Sequence, residues 1–359
     1  MENKVAVAMS GGVDSSVAAF LIQKQYGTAQ THGVYMRTWH SKDALHPLSD
    51  CPWHRDSEDA RSVAKDLGII FDVANMIDYY RKYVVTPLVD GYRQGITPNP
   101  DILCNQFIKF GVLLEWAKRN GCLSLATGHY CKRRENLDGT VDIVVPQDKN
   151  KDQTYFLAYL RQNQIHSALF PLGDLTKKEV REIARQYNFV TAQKKDSQGI
   201  CFLGKVKIQD FLSQFIKNFP GNIVNSDGKV VGYHQGLHRF TIGQRHGLNI
   251  PSNSDHNFYV VTGKNLETNE LYVAFESERK LYSRCYKIHN LSYTNHPLPD
   301  QCSLACRPRY RDPDQEIKFE KLGENEAIIT FKNFQRALAP GQIVAFYENG
   351  VLLGGGTYV

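Results

Sequence analysis

The sequence predicts an α/β protein: a doubly wound parallel sheet, then a small central domain, then a C-terminal antiparallel β-barrel. Three observations predict it. Short apolar runs alternate with helical patterns through the first half, as strand–helix–strand units require. "VAVAMSGGVDSS" at 5–16 sets a glycine turn between an apolar strand and a helix start. From about residue 280 alternating runs such as "SLACRPRY", "EIKFE" and "AIITFKN" read as half-buried strands of a small barrel or sandwich.

In chain order, Val5 and Val7 with the small residues between them suit one buried parallel strand. Ser10, Gly11 and Gly12 break it, and Asp14-Ser15-Ser16 opens an apolar-periodic helix. Further strands are expected at 31–39 ("THGVYMRTW"), 69–74 ("IIFDVA") and 123–129 ("LSLATGH"), with helices at about 55–67, 77–94 and 106–119. Residues 151–190 read as helical again. One helix at 208–217 then gives way to Gly- and Asn-rich short strands. The expected domains are 1–205, 206–279 and 280–359. Ligands of such sheets bind beyond the carboxyl ends of the strands. Ser10–Ser15, Met36 and Gly128 all fall there, so one nucleotide pocket is expected.

Composition bounds the rest. A chain of 359 residues is long for a single core, and 42% hydrophobic with 22% charged residues describes a globular protein. No apolar run reaches a membrane span, which predicts no membrane partner. A strand within four residues of the first Met leaves no room for a leader; the expected site is cytoplasmic in a bacterium, or the mitochondrial matrix in a eukaryote. The net charge of +6 announces nothing alone. Its clusters, Lys132-Arg133-Arg134, Lys194-Lys195, Lys205/Lys207 and Arg307/Arg309/Arg311, suit either solvated faces or a surface tracking a phosphate backbone. Eight cysteines without a CxxC pair or an extracellular framework indicate reduced thiols. Cys122, Cys131, Cys302 and Cys306 read as structural.

The glycine loop points backbone N–H groups and a positive helix end at an anion. It has no lysine, so it is poorly built to grip the β- and γ-phosphates of a terminal-phosphate donor. It suits a pyrophosphate that departs as a unit when AMP is transferred. In "TPNPDILCN" the two prolines force an extended approach, and Asp101 is expected to cap a helix whose third residue is Cys104. A thiol there would feel the positive helix end, and Asp101 could accept a proton or position a base. Cys201, in "KKDSQGICFLG", is expected on an accessible loop with Lys194 and Lys195 favouring its thiolate. "KDQTYFL" (Lys151, Asp152, Gln153) and "RPRYRD" (Arg309, Tyr310) combine charge, amide and aromatic groups suited to RNA. His40, His46, Cys51 and His54 match no standard zinc spacing, and no metal site is expected among them.

Together, SGGVDSS, "TPNPDILCNQFIKFG", "ATGHY", "KDQTYFL", "KKDSQGICFLG" and "TIGQRHGL" resemble the tRNA-specific 2-thiouridylases, within the PP-loop ATP pyrophosphatases. The resemblance implies a nucleotide domain of the adenine nucleotide alpha hydrolase type. It implies ATP-dependent 2-thiolation of the wobble uridine of tRNA, with Lys, Glu and Gln acceptors. ATP and Mg²⁺ would be bound by Ala8, Met9, Ser10, Gly11, Gly12, Val13, Asp14, Ser15, Met36 and Gly128. Asn99, Pro100 and Asp101 would contact the target base, and His129, Lys151, Asp152, Gln153, Arg309, Tyr310 and Gln342 the tRNA. Cys201 would carry sulfur as a persulfide received from a sulfur-donor protein or cysteine desulfurase. Cys104 would help release it, leaving a Cys104–Cys201 disulfide. Three alternatives stay open: a PP-loop ligase acting on a small metabolite, an RNA-binding module without catalysis, and an iron–sulfur cluster held by Cys104, Cys201 and Asp101. The loop at 38–60 departs from the family's usual pattern, which puts in doubt its contacts with tRNA or a sulfur donor.

Overall fold

The computed structural model describes residues 4–39, 52–195, 207–251 and 257–359. Cys201, Lys205, His40, His46 and Cys51 lie outside them.

Five parallel strands form the first sheet: β1 (Lys4–Ala8), β2 (Thr31–Arg37), β3 (Ile70–Asn75), β4 (Cys122–Ala126) and β7 (Ala168–Leu169). Their order is β3-β2-β1-β4-β7, so the strand order reverses between β1 and β4. That reversal opens the ligand crevice of a doubly wound sheet. Helices α1 (Val13–Tyr26), α2 (Pro52–Asp66) and α8 (Lys177–Gln186) cover one face and bury Val17, Phe20, Val63 and Val180 against it. The other face carries two long helical runs. The first joins α3 (Ile77–Tyr80) to α4 (Thr86–Arg93) through a π-helical turn at Arg81–Val85. The second joins α5 (Pro100–Leu103) to α6 (Leu114–Arg119) through a π-helical stretch at Cys104–Leu113. Wider π turns leave carbonyls available, and Gln164, in α7 (Gln162–Ile165), donates from Nε2 to the Gln106 and Phe110 oxygens at 2.8 and 2.9 Å.

Three stretches differ from the sequence reading. The stretch 151–190 is not a helical block, because short turns and the two-residue strand β7 precede α8. Residues 132–144 form a hairpin of β5 (Lys132–Glu135) and β6 (Val141–Val144), whose β6 pairs with a strand of the C-terminal sheet. The basic run Lys132-Arg133-Arg134 lies on that hairpin, ion-paired with Asp174, Glu135 and Asp142. The helix expected to 217 is α9 (Ile208–Leu212).

The central sheet orders β10 (Tyr259–Asn265), β11 (Glu270–Phe275), β8 (Gly221–Val224) and β9 (Val230–His234). Beyond it, β12 (Tyr282–Tyr293), β15 (Glu326–Arg336), β14 (Gln315–Lys321), β13 (Gln301–Arg307), β16 (Ile343–Glu348) and β17 (Val351–Tyr358) pair in that order. A β12–β17 pairing closes the antiparallel barrel and leaves its edges to each other rather than to solvent. Alternate residues point inward; Ile317, Phe319, Ile329, Phe331 and Phe346 fill the interior. The apolar core of the first sheet continues into the barrel wall through Ile343, Ala345, Tyr347 and Leu352.

Polar groups complete that seam. Asp152 is buried, accepts from the Thr154 amide and hydroxyl, and pairs with Nη1 of Arg307 at 2.7 Å. Arg307 also reaches Asp314 at 2.7 Å and lies over the Tyr347 ring. Removing one partner of a buried ion pair strands the other charge. Arg307→Ala should therefore destabilise the protein by about 3–5 kcal/mol, read as a fall in the midpoint of thermal or urea unfolding. A midpoint equal to wild type would show that the seam does not depend on the pair.

Candidate active site

The glycine loop sits at the reversal between β1 and β4. Gly12 caps α1 in an extended conformation, and Gly11 takes a positive φ of 72°. A Cβ on Gly11 would lie 2.1 Å from the Asp56 carbonyl oxygen, so no larger residue fits. The Ser15 hydroxyl accepts from the Ser10 amide at 3.0 Å and donates to the Gly12 oxygen at 3.0 Å. Ser16 donates to the same oxygen and accepts from Thr191. Val13 and Met9 are buried beneath the loop, with Ala8 half-buried at the end of β1. Gly128, just past β4, comes so near that a Cβ would be 3.0 Å from the Asp14 carbonyl carbon and the Ser15 nitrogen. Met36 lies near the carboxyl end of β2. The structure thus brings the sequence-predicted nucleotide residues to one edge of the sheet.

It also brings residues that sequence reasoning missed. Oδ1 of Asp14 accepts from the Tyr130 hydroxyl at 2.9 Å and from Nζ of Lys177 at 2.6 Å. Lys194 donates to the Gly11 oxygen at 2.8 Å and to Asp56 and Asp59 at 2.6 Å each. Its ammonium therefore braces the loop against α2 with two carboxylates beside it. Thr176 and Glu179 form a capping box at the start of α8, a signal present in the sequence as "TKKE". That signal marks a helix start. Nothing in it points to Asp14, which lies 163 residues away.

The segment leading to Cys104 is suspended between domains. The Thr97 amide donates to Pro340, its carbonyl accepts from Nε2 of Gln342 at 2.6 Å, and its hydroxyl bonds Thr241 at 3.2 Å. Thr241 opens the "TIGQRHGL" motif, so barrel, central domain and first domain meet at one residue. Asn99, not Asp101, caps the following helix: its Oδ1 accepts from the Asp101 and Ile102 amides at 3.1 and 3.4 Å. With Pro100 first in the helix, Cys104 is its fifth residue rather than its third. The helix-end field fades within the first turn, so it does little for this thiol. Cys104 is 1% exposed, inside the core of helices 77–119. Burial pushes the Cys122, Cys131 and Cys306 thiols up, well up for Cys131, which fits structural roles.

The expected RNA-contacting residues divide. Tyr310 packs on Phe156 with ring centroids 4.3 Å apart, and Arg311 lies over its ring. Arg309 grips the Arg336 and Ala337 oxygens and neighbours Asp312. Asp152 is held in the barrel seam, and Gln342 holds Thr97. Gln153 accepts from the Tyr130 amide at 3.0 Å. Lys151 is half-buried in the turn preceding Asp152. His129 bonds Thr127 through Nδ1 at 2.7 Å beside Phe110 and Phe170. Burial, aided by Lys109, holds it well below the usual histidine range and so neutral. Among the described residues no His, Cys, Asp and Glu side chains group as metal ligands, and no helix is long and apolar enough to cross a membrane.

Comparison with known proteins agrees with this architecture. Residues 3–205 match the tRNA methyl transferase HUP domain, 209–275 the tRNA methyl transferase PRC-barrel domain, and 283–358 the aminomethyltransferase beta-barrel domain. The chain is 45% identical over 357 residues to the tRNA-specific 2-thiouridylase MnmA of Akkermansia muciniphila, covering 99% of this chain and 98% of that one. It is 42% identical to the protein of that name from Lysinibacillus sphaericus, over 99% of this chain and 93% of that one. Among solved structures, the U34-tRNA thiolase NcsA of Methanococcus maripaludis matches at 18% identity and a TM-score of 0.35, covering 60% of this chain and 67% of that one. A glycine-loop nucleotide domain joined to two β domains is the class that fold and site define. The chain belongs to the tRNA-specific 2-thiouridylase family.

Gly11→Ala should distort the loop, since it combines a left-handed backbone with a clash against Asp56. The expected loss is about 1–3 kcal/mol, measured by denaturation, with weakened nucleotide affinity. Wild-type affinity would mean that this loop does not meet the ligand.

Proposed function

We propose that this chain uses ATP to install sulfur at C2 of the wobble uridine of tRNA. The observation that carries the reading is the loop at the β1–β4 reversal, in a chain that matches 2-thiouridylases over nearly its whole length. A uracil carbonyl oxygen is a poor leaving group, and converting it to AMP makes it a good one. The acceptor O2 bonds to the α-phosphorus, the bridging oxygen leaves with its electron pair as pyrophosphate, and the N3 proton passes to solvent.

The residues fit the nucleotide. Gly11 and Gly12 leave the loop backbone open, the α1 amides face the crevice, and Gly128 narrows it from β4. Magnesium fits as an ion held largely by phosphate oxygens and water, with Asp14 as the protein's carboxylate. Its chemistry is charge neutralisation on the phosphates. Asn99, Pro100 and Asp101 would position the base, and Arg309, Tyr310, Lys151, Asp152, Gln153, His129 and Gln342 would form or shape the tRNA surface. For Asp152 and Gln342 the present contacts favour shaping, because their polar atoms hold the seam and Thr97.

Sulfur enters as a persulfide on Cys201, delivered by a sulfur-donor protein or desulfurase. The Cys104 thiolate attacks the Cys201 sulfur, a disulfide forms, and the outer sulfur leaves as a nucleophile. That sulfur attacks C2 and expels AMP, and a dithiol then reduces the disulfide. The burial of Cys104 means that tRNA binding must uncover it. A buried thiol is meanwhile shielded from adventitious oxidation.

The two cysteines should separate experimentally. Cys201→Ser should adenylate tRNA yet neither thiolate it nor gain sulfur from a desulfurase and cysteine. Cys104→Ser should gain one sulfur atom in intact-protein mass spectrometry and fail to transfer it. The reverse pattern would exchange their roles, and thiolation by the double-serine protein would remove both from the mechanism.

A further inference from the structure

The phosphate loop carries glycines and serines but no lysine, yet a lysine reaches it from another element. We infer that Lys177, the first residue of α8, supplies the cation that steadies the pyrophosphate as it leaves; this deepens the proposed function and rests on it. Nζ of Lys177 lies 2.6 Å from Oδ1 of Asp14, and its side chain is 12% exposed. Nζ is also 5.8 Å from the centre of the Tyr130 ring, whose hydroxyl holds the same Asp14 oxygen.

This placement is costly without an anion. The first turn of a helix favours acidic groups, and a cation there opposes the helix field. Partial burial adds a desolvation cost. The sequence could have put Lys177 outward, as it does the neighbouring Lys178, which is 86% exposed. Instead the backbone is pinned: the Lys177 amide donates to Oδ2 of Asp148 at 2.9 Å, and the Thr176–Glu179 capping box fixes the turn. An ammonium has three donors and can keep Asp14 while offering another to a phosphate oxygen. Asp14 thus holds the lysine side chain in place before nucleotide arrives. When the bridging oxygen leaves with its electron pair, the new charge on pyrophosphate develops beside a cation already positioned. A P-loop draws its lysine from the loop itself; here α8 supplies it.

The competing account is an ion pair that only ties α1 to α8, and kinetics separate the two. Pyrophosphate release by the full-length protein with ATP and tRNA would be measured for wild type, Lys177→Met, Lys177→Arg and Lys178→Met. Lys177→Met should lose roughly 100-fold or more in kcat, with tRNA affinity and melting midpoint near wild type. Lys177→Arg should recover part of the rate, and Lys178→Met should match wild type. Release by folded Lys177→Met at the wild-type rate would overturn the inference. If Lys177→Met melts below the assay temperature, Lys177→Arg decides: a changed KM for ATP with unchanged tRNA affinity supports phosphate contact, and wild-type kinetics overturn it. Absence of pyrophosphate with wild type would instead sink the proposed function, and the inference with it.

Discussion

The placement of the helix that carries Cys104 depends on the hydrogen bonds at Thr97. The segment 97–99 precedes α5 and cannot fix itself by strand pairing, since Pro98 and Pro100 each remove a donor. Its amide, carbonyl and hydroxyl are satisfied by Pro340, Gln342 and Thr241, from two other domains. Each bond is worth only about 1 kcal/mol net, but together they tie the segment to two other domains. Gly341 sharpens the fit, because a Cβ there would lie 3.0 Å from the Thr97 carbonyl carbon. Three independently built cores must be assembled before Asn99 caps the helix that carries Cys104. A substrate that touches all three domains would thereby act on the helix start.

Charge follows a second constraint. Two lysines at the glycine loop each meet carboxylates. Lys194 is balanced by Asp56 and Asp59, and Lys177 by Asp14. At the barrel seam Arg307 is balanced by Asp152 and Asp314. The first set faces the glycine loop, where an incoming phosphate can compete for the lysines. The second runs from buried Asp152 to half-exposed Asp314 along the seam and serves assembly. Similar ion pairs thus do different work according to what can reach them.

The fold class and the loop were legible because their signals are local. Apolar runs give strands, "SGGVDSS" gives a strand–turn–helix, and alternating runs give the barrel, all within a few residues of each other. The β5–β6 hairpin was not legible as part of the C-terminal sheet, since its partner β17 lies more than two hundred residues on. β7 is two residues long and has no periodicity to read. The Asn99 cap was displaced onto Asp101 because both residue types favour that position. Nothing local marks Lys177 or Lys194 as a partner of Asp14, Asp56 or Asp59, and only the packing of α8 and of the turn after it on α1 and α2 turns them inward. Tyr130 and Thr97 fall inside the motifs ATGHY and TPNPDILCN, yet nothing in either motif points to Asp14 or to Pro340.

The central claim is that ATP is split between its α- and β-phosphates to activate a tRNA uridine. A reaction of purified protein with unmodified tRNA, ATP labelled at the α- and γ-phosphates, and a desulfurase with cysteine tests it directly. The account predicts one AMP and one pyrophosphate for each 2-thiouridine formed, with no pyrophosphate when tRNA is omitted. Formation of ADP and phosphate alongside 2-thiouridine, or thiolation without ATP, would contradict it.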